Sequence, residues 1–384
     1  MGRPERRALI SEIERLRGTR LLCYVTSDRS PIGGMIYEDA IRPFYGQLRE
    51  LGHVPKVDLF LYSRGGAVEV PWRLAHGLRQ AAGEWAVLVP WRANSSATLL
   101  CLGADQIVFG RHGELGPIDT SWSWRRVAPP GSGTGPTVST DNVSIEDVMA
   151  YVQFVREHWA LSSQTALASA LEKLTERIDA VQLGSIYRSK THIQENARHI
   201  IASRNAPPDE LTLQRIVETL AEQIHAHNHA IALDDARALG LPAESAAPEV
   251  ESLMWRLFED FEEEMKIMRP IDPTSVVTTT DLYEEEALVV AIESARSADH
   301  LTGRIEVRAK RNLPVGLVIN VTVDVPPPSS PDADQDDVAW VEILNKLRAT
   351  AVLASVQAVH ATVGNYGVVA AESAFRGAAW KHLP

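Results

Sequence analysis

The sequence predicts an α/β fold built on a parallel sheet. Three largely apolar runs carry that expectation: Val57–Tyr62, Trp85–Pro90 and Gln106–Phe109, each closed by small or polar residues and separated by helix-patterned stretches. A run that is apolar throughout suits a strand covered on both faces. Strands alternating with helices give the crossover connections of a parallel sheet.

Taken in order, residues 5–17 read as a charged amphipathic helix with Leu9, Ile10, Ile13 and Leu16 on one face. Leu21 to Thr26 follows as a short strand. A helix is expected over 36–51, with Ile36, Ile41, Phe44, Tyr45 and Leu48 on its apolar side. The strand Val57–Tyr62 ends in Ser63-Arg64-Gly65-Gly66 and feeds a helix over 67–82. After Trp85–Pro90, Asn94–Gly103 reads as a small-residue helix that leads into Gln106–Phe109. Residues 125–142 are rich in Pro, Gly, Ser and Thr and predict a mobile loop. Ser144 and Asp147 have capping-box spacing and open a helix to about 158. Further helices are expected at 163–175, 179–204 and 208–226, a short one from Leu233, and an acidic amphipathic one over 247–268. Ala287–Ser294, Thr302–Ala309 and Leu317–Val325 alternate in strand fashion, Pro326–Asp337 reads as a flexible linker, and a helix spans 338–362. The organisation expected is a core over 1–245, a helical arm over 246–271 and a C-terminal α+β region over 272–384.

Composition narrows the function classes. The 384 residues carry 50 acidic against 38 basic side chains, a formal charge of −12, which argues against a nucleic-acid partner. With 45% hydrophobic residues there is material for a sizeable core. Two cysteines make neither a disulfide framework nor a thiolate metal site, which fits a reducing cytoplasm. No apolar run approaches the roughly 20 residues that span a bilayer. Met1 to Arg7 is charged with no apolar stretch behind it, so no signal peptide is expected.

Three segments carry candidate chemistry. Gly65 and Gly66, at the end of a buried strand, allow a tight turn that presents N–H groups to an anion; as plain structure they are a strand-to-helix turn. Asn94-Ser95-Ser96 opens a helix, where a serine hydroxyl lies near N–H groups that stabilise an oxyanion; each of the three is also a good N-cap. Glu114-Leu115-Gly116-Pro117-Ile118-Asp119 is a polar turn bearing an acid.

In this order and spacing, these segments resemble the serine dehydrogenase proteinase family of the Clp protease/crotonase-like superfamily, relatives of signal peptide peptidase A. LFLYSRGG and VLVPWRANSSATLLCLGADQIVFGRHGELGPID carry the likeness, and GSIYRS, HNHAI and ARALGLPA fall in family order, so it covers about residues 5–245. The resemblance implies a Clp/crotonase-like fold and an ATP-independent serine peptidase. It implies Ser95 as nucleophile, Asp119 and His227 as its partners, and the N–H groups of Gly66 and Ser96 as oxyanion hole. It also implies a homo-oligomer acting on peptides or unfolded proteins, without a cofactor. A neutral imidazole would take the hydroxyl proton and a carboxylate would fix its tautomer. Here Ser96-Ala97 stands where the family usually has Ala-Gly, so a methyl at 97 is expected to crowd the glycine turn. Arg64 puts a cation beside that turn, either to bind a substrate carboxylate or to lie in solvent.

Rival readings remain open. Lys190 is the alternative base, as signal peptide peptidase relatives pair serine with lysine; as plain structure it is a solvent-facing helix residue. His225, His227 and His229 alternate like a ligand set, yet no acid or cysteine with metal spacing accompanies them, so no metal is expected. Trp122 and Trp124 suit either a peptide groove or plain packing. A non-catalytic scaffold on the same fold, or an acyl-CoA enzyme of the crotonase branch, are the alternative functions. No GxxxxGK[ST] nucleotide loop is present.

Overall fold

A computed structural model describes residues 3–118, 121–127, 138–158, 163–176, 178–223, 229–278, 280–311, 345–346, 348–357, 359 and 368–384. Helix α1 (Arg3–Arg17) precedes β1 (Arg20–Thr26), α2 (Ile41–Leu51), β2 (Val54–Tyr62), α3 (Val70–Ala81) and β3 (Ala82–Val89). Then come β4 (Arg92–Ala93), α4 (Ser96–Cys101), β5 (Gln106–Phe109), β6 (Glu114–Leu115), β7 (Ser121–Val127) and β8 (Val138–Ser144). Helices α5 (Ile145–Gln153), α6 (Gln164–Thr175), α7 (Ala180–Ala202), α8 (Glu210–Glu218) and α9 (Leu233–Leu239) follow, then β9 (Ala243–Ser245) and α10 (Pro248–Met265). The last elements are α11 (Pro273–Val276), β10 (Leu282–Ser294), β11 (Ala298–Arg311) and β12 (Val368–Leu383).

The chain is mixed α/β, with an eight-stranded sheet in the order β12-β11-β10-β1-β2-β3-β5-β9. The pairs β1–β2, β2–β3, β3–β5 and β5–β9 are parallel, and β10 joins β1 antiparallel with Tyr24 opposite Ile292. The last six residues of both β1 and β2 are buried, as apolar runs covered on both faces require. One compact unit takes in Met1–Arg269, Leu288–Thr302 and Ala378–Pro384, and a second takes in Pro270–Ala287 and Gly303–Gly377. These bounds differ from a division at 245 and 271, because Val290–Ser294 pairs with β1 across a long sequence separation that local pattern does not disclose.

In the first unit, α1 and α10 cover one face of the sheet. Leu9, Ile10 and Ile13 meet Val250, Met254, Leu257, Phe258, Phe261 and Met265 over Cys23, Val25, Phe60 and Tyr62. So α10 is a core helix rather than an acidic arm. Its apolar positions recur at helical spacing, and its glutamates occupy the other face. In the second unit, Arg311 pairs with Asp281 at 2.6 Å, and a Cβ on Gly303 would meet the Phe375 ring at 2.5 Å.

Two local expectations are corrected. Residues 125–142 are not one loop: β7 and β8 pair antiparallel from Ser121–Ser144 to Val127–Val138, and only 128–137 lie outside the described residues. Ile36 is not helical, since α2 begins at Ile41 and Ile36 bridges Gly66 as a short parallel strand. The linker at 326–337 and the strand at 317–325 also lie outside the described residues. Among the described residues, no helix is long and apolar enough to cross a membrane.

Candidate functional site

Parallel strands present ligands at their carboxyl ends, and here three turns converge beyond the ends of β2, β3 and β5. Ser63 extends β2 and bridges Ala93: its N–H donates to Arg92 O and its carbonyl accepts from Asn94 N–H, both at 3.0 Å. Ala93 pairs in parallel with Leu115, and Leu115 pairs antiparallel with Ile231. A short secondary ladder therefore ties the Gly65 turn, the Ser95 turn and the Gly116 turn together.

The glycine turn is a close-approach site. Gly65 has φ +114° and Gly66 φ +156°, conformations that a side chain rarely adopts. A Cβ on Gly65 would stand 2.8 Å from Ser95 Cβ and 3.2 Å from Ser95 Oγ; on Gly66 it would stand 2.2 Å from Ile36 O. Gly65 N–H donates to Ser63 Oγ at 3.1 Å, and that hydroxyl also accepts from Thr26 Oγ1 at 2.8 Å. Ile36 donates to Gly65 O at 2.8 Å and accepts from Ala67 N–H at 2.9 Å. With both groups of Ile36 spent on residues 65 and 67, parallel-ladder geometry turns the Gly66 N–H to the opposite side.

Ser95 is half-buried and precedes α4 with φ 54° and ψ −118°. Such a conformation costs of order 1–3 kcal/mol for a residue with a Cβ. The helix is nonetheless held: Ala97 N–H donates to Asn94 O and Leu99 N–H to Ser95 O, both at 3.0 Å. Ser96, Ala97 and Thr98 are fully buried. The three atoms nearest a Cβ built on Gly65 belong to Ser95 and Asn94, and those nearest one built on Gly66 belong to Ile36. Two polar atoms flanking Ser95, Asn94 Oδ1 and Ser96 Oγ, are buried and find no hydrogen-bond partner among the described residues. Burial pushes the Cys101 thiol, five residues beyond Ser96, far up, so it is no rival nucleophile.

The structure thus brings Gly65, Gly66, Ser95 and Ser96 together. Arg64 Nε lies 3.9 Å from the Asp28 carboxylate, which also accepts from Tyr62 OH at 3.0 Å. Asp119 and His227, with His225, lie outside the described residues. Their described neighbours meet the ladder, with Ile118 N–H donating to Leu220 O at 3.0 Å and Leu115 exchanging bonds with Ile231. His229 is exposed. Lys190 is half-buried on α7, the helix whose Asn196 donates to Val68 O at 3.3 Å just after the glycine turn. Among the described residues, no three His, Cys, Asp or Glu side chains are grouped to hold a metal. Trp122 and Trp124 fall in β7. Sequence reasoning missed Thr98, a hydroxyl in the middle of an otherwise largely apolar helix, and Ile36, whose apolar spacing suited α2 equally well.

The chain is similar to two uncharacterized proteins of Methanocaldococcus jannaschii. One is 29% identical over 116 residues, which are 29% of this chain and 40% of that protein. The other is 36% identical over 75 residues, 19% of this chain and 26% of that protein. The chain therefore spans less than half the length of either relative. No family model matches the sequence.

Proposed function

We propose that this chain is a serine hydrolase of the serine dehydrogenase proteinase type that cleaves peptide bonds in peptides or unfolded chains without ATP. Ser95 Oγ attacks the scissile carbonyl as its proton passes to a base, His227 in the family pattern or Lys190 on α7. The N–H groups of Gly66 and Ser96 receive the oxyanion, and Asp119 orients the imidazole. Collapse of the intermediate breaks the C–N bond, the base returns the proton to the leaving amine, and water then hydrolyses the acyl-enzyme. Copies of the chain enclose the site.

The observation that carries this reading is the backbone of Ser95. A serine held at φ 54° on a strand-turn-helix junction, against a glycine that admits no Cβ, supports reading it as a nucleophile. An observed backbone outlier argues towards function, and capping alone does not require one. The side chain of Ser95 also makes no cap hydrogen bond to α4. The test is turnover of a denatured, fluorophore-quenched protein without nucleotide. Ser95→Ala is expected to reduce it to background, and turnover unchanged in that variant refutes the assignment.

A further inference from the structure

We infer that Thr98 is a positioning residue that locks the nucleophile turn to the turn leading to the acidic segment; the inference rests on the hydrolase reading. Thr98 is fully buried in α4, three residues after Ser95. Its Oγ1 lies 2.7 Å from Ala93 O and 2.8 Å from Gly116 O, and it accepts from Gly116 N–H at 3.2 Å. Gly116 N–H also reaches Ala93 O at 3.3 Å. One hydroxyl therefore closes a knot between the residue two before Ser95 and the residue three before Asp119.

A hydroxyl has one proton, so it donates to Ala93 O or to Gly116 O and never to both. This is more than a helix residue needs. A threonine bonding back to its own helix would reach a carbonyl three or four residues earlier. Thr98 instead reaches five residues back, to Ala93, and 18 residues forward, to Gly116. Gly116 completes the fit, since a Cβ there would press on Asn94 Cβ and Cγ at 3.0 Å. The two turns are thus in contact through Asn94 and latched through Thr98. Release of the latch would let the Ser95 turn shift against the Gly116 turn, and displacements near an ångström cost rate out of proportion to stability.

The test compares Thr98→Val, which keeps the shape and loses the hydroxyl, with Thr98→Ser, which keeps the hydroxyl and loses a buried methyl. Labelling rate with a fluorophosphonate probe, thermal midpoint and hydrogen exchange at the Gly116 amide are measured on the full chain. The Val variant is expected to label about 100-fold more slowly, the scale that a misplaced reacting group costs, and to expose the Gly116 amide. The Ser variant is expected to label within about threefold of wild type despite an equal or lower midpoint, since a conserved hydroxyl keeps the hydrogen bonds. Equal labelling in the Val variant overturns the inference. So does a Ser variant as slow as Val, which would assign the effect to packing. Wild-type protein that takes no label at Ser95 refutes the hydrolase reading itself and the positioning role with it.

Discussion

Two polar regions of the first unit are built on opposite terms. Around Arg6, the guanidinium is fully buried, gripped by both oxygens of Glu293 at 2.8 and 3.1 Å and by Asp260 at 2.8 Å, with Glu264 also in contact. His300 adds a 2.6 Å contact to Glu293, and the Arg6 guanidinium stands 4.7 Å over the Phe261 ring. Around Ser95, by contrast, the backbone is strained and two adjoining buried polar atoms lack partners among the described residues. The first region joins α1, α10 and β10, where opposite charges meet at close range, although Asp260 Oδ2 finds no hydrogen-bond partner among the described residues. The second leaves acceptors and donors unspent beside a half-buried hydroxyl.

The comparison breaks most visibly at Arg6. Arg6→Met strands Asp260 as a buried carboxylate and leaves Glu293 with His300 in place of the guanidinium, and breaking such a buried pair costs about 3–5 kcal/mol. Urea denaturation should show that loss while Ser95 chemistry in the residual folded fraction stays intact. A cost below about 1 kcal/mol, the scale of a surface pair, would mean the network is not closed. Next in size is Gly65→Ala, which forces a side chain into φ +114° and into Ser95. It should cost about 1–3 kcal/mol and abolish probe labelling, whereas a stable, labelled variant would contradict the close approach.

Acid titration sharpens the contrast. Burial alone would raise the Glu293 carboxyl, but its hydrogen bonds to His300 and Arg6 outweigh that and hold it below its ordinary value of 4.5. A carboxylate whose folded-state pKa is depressed adds stability that is complete above the unfolded value and is lost as pH falls through the folded one. The thermal midpoint should therefore hold above pH 4.5 on this account and drop below it. Glu293→Gln should flatten that acid limb, and an unchanged limb would place the titration elsewhere. The smallest effect belongs to Arg64→Ala. Its guanidinium lies near the Asp28 carboxylate at the surface, so kcat/KM should change less than about threefold, as for exposed ion pairs generally. A large rise in KM alone would restore it as a substrate contact.

These contrasts show what the sequence makes legible. The buried strands β1, β2, β3 and β5 stand out because a sheet covered on both faces demands unbroken apolar runs. Gly65, Gly66 and Ser95 are visible because turns at strand ends need glycine and small polar residues. The antiparallel pairing of β10 with β1 is not visible, because an alternating strand far along the chain does not declare its partner. The Arg6 network is equally hidden: its members are 254 and 287 residues apart and look like surface charges one at a time. Ile36 misleads because its spacing from Phe44 and Leu48 fits a helix, although its backbone is used by Gly65 and Ala67. Thr98 carries no pattern, because its partners are main-chain carbonyls whose position only the fold creates.

The central claim is that the strained serine is the nucleophile. A fluorophosphonate probe applied to the folded protein at neutral pH, followed by peptide mass spectrometry, tests it most directly. The account predicts one adduct, on the peptide containing Ser95, absent after unfolding and absent in Ser95→Ala. An adduct at another residue, or none on protein shown to be folded, contradicts it.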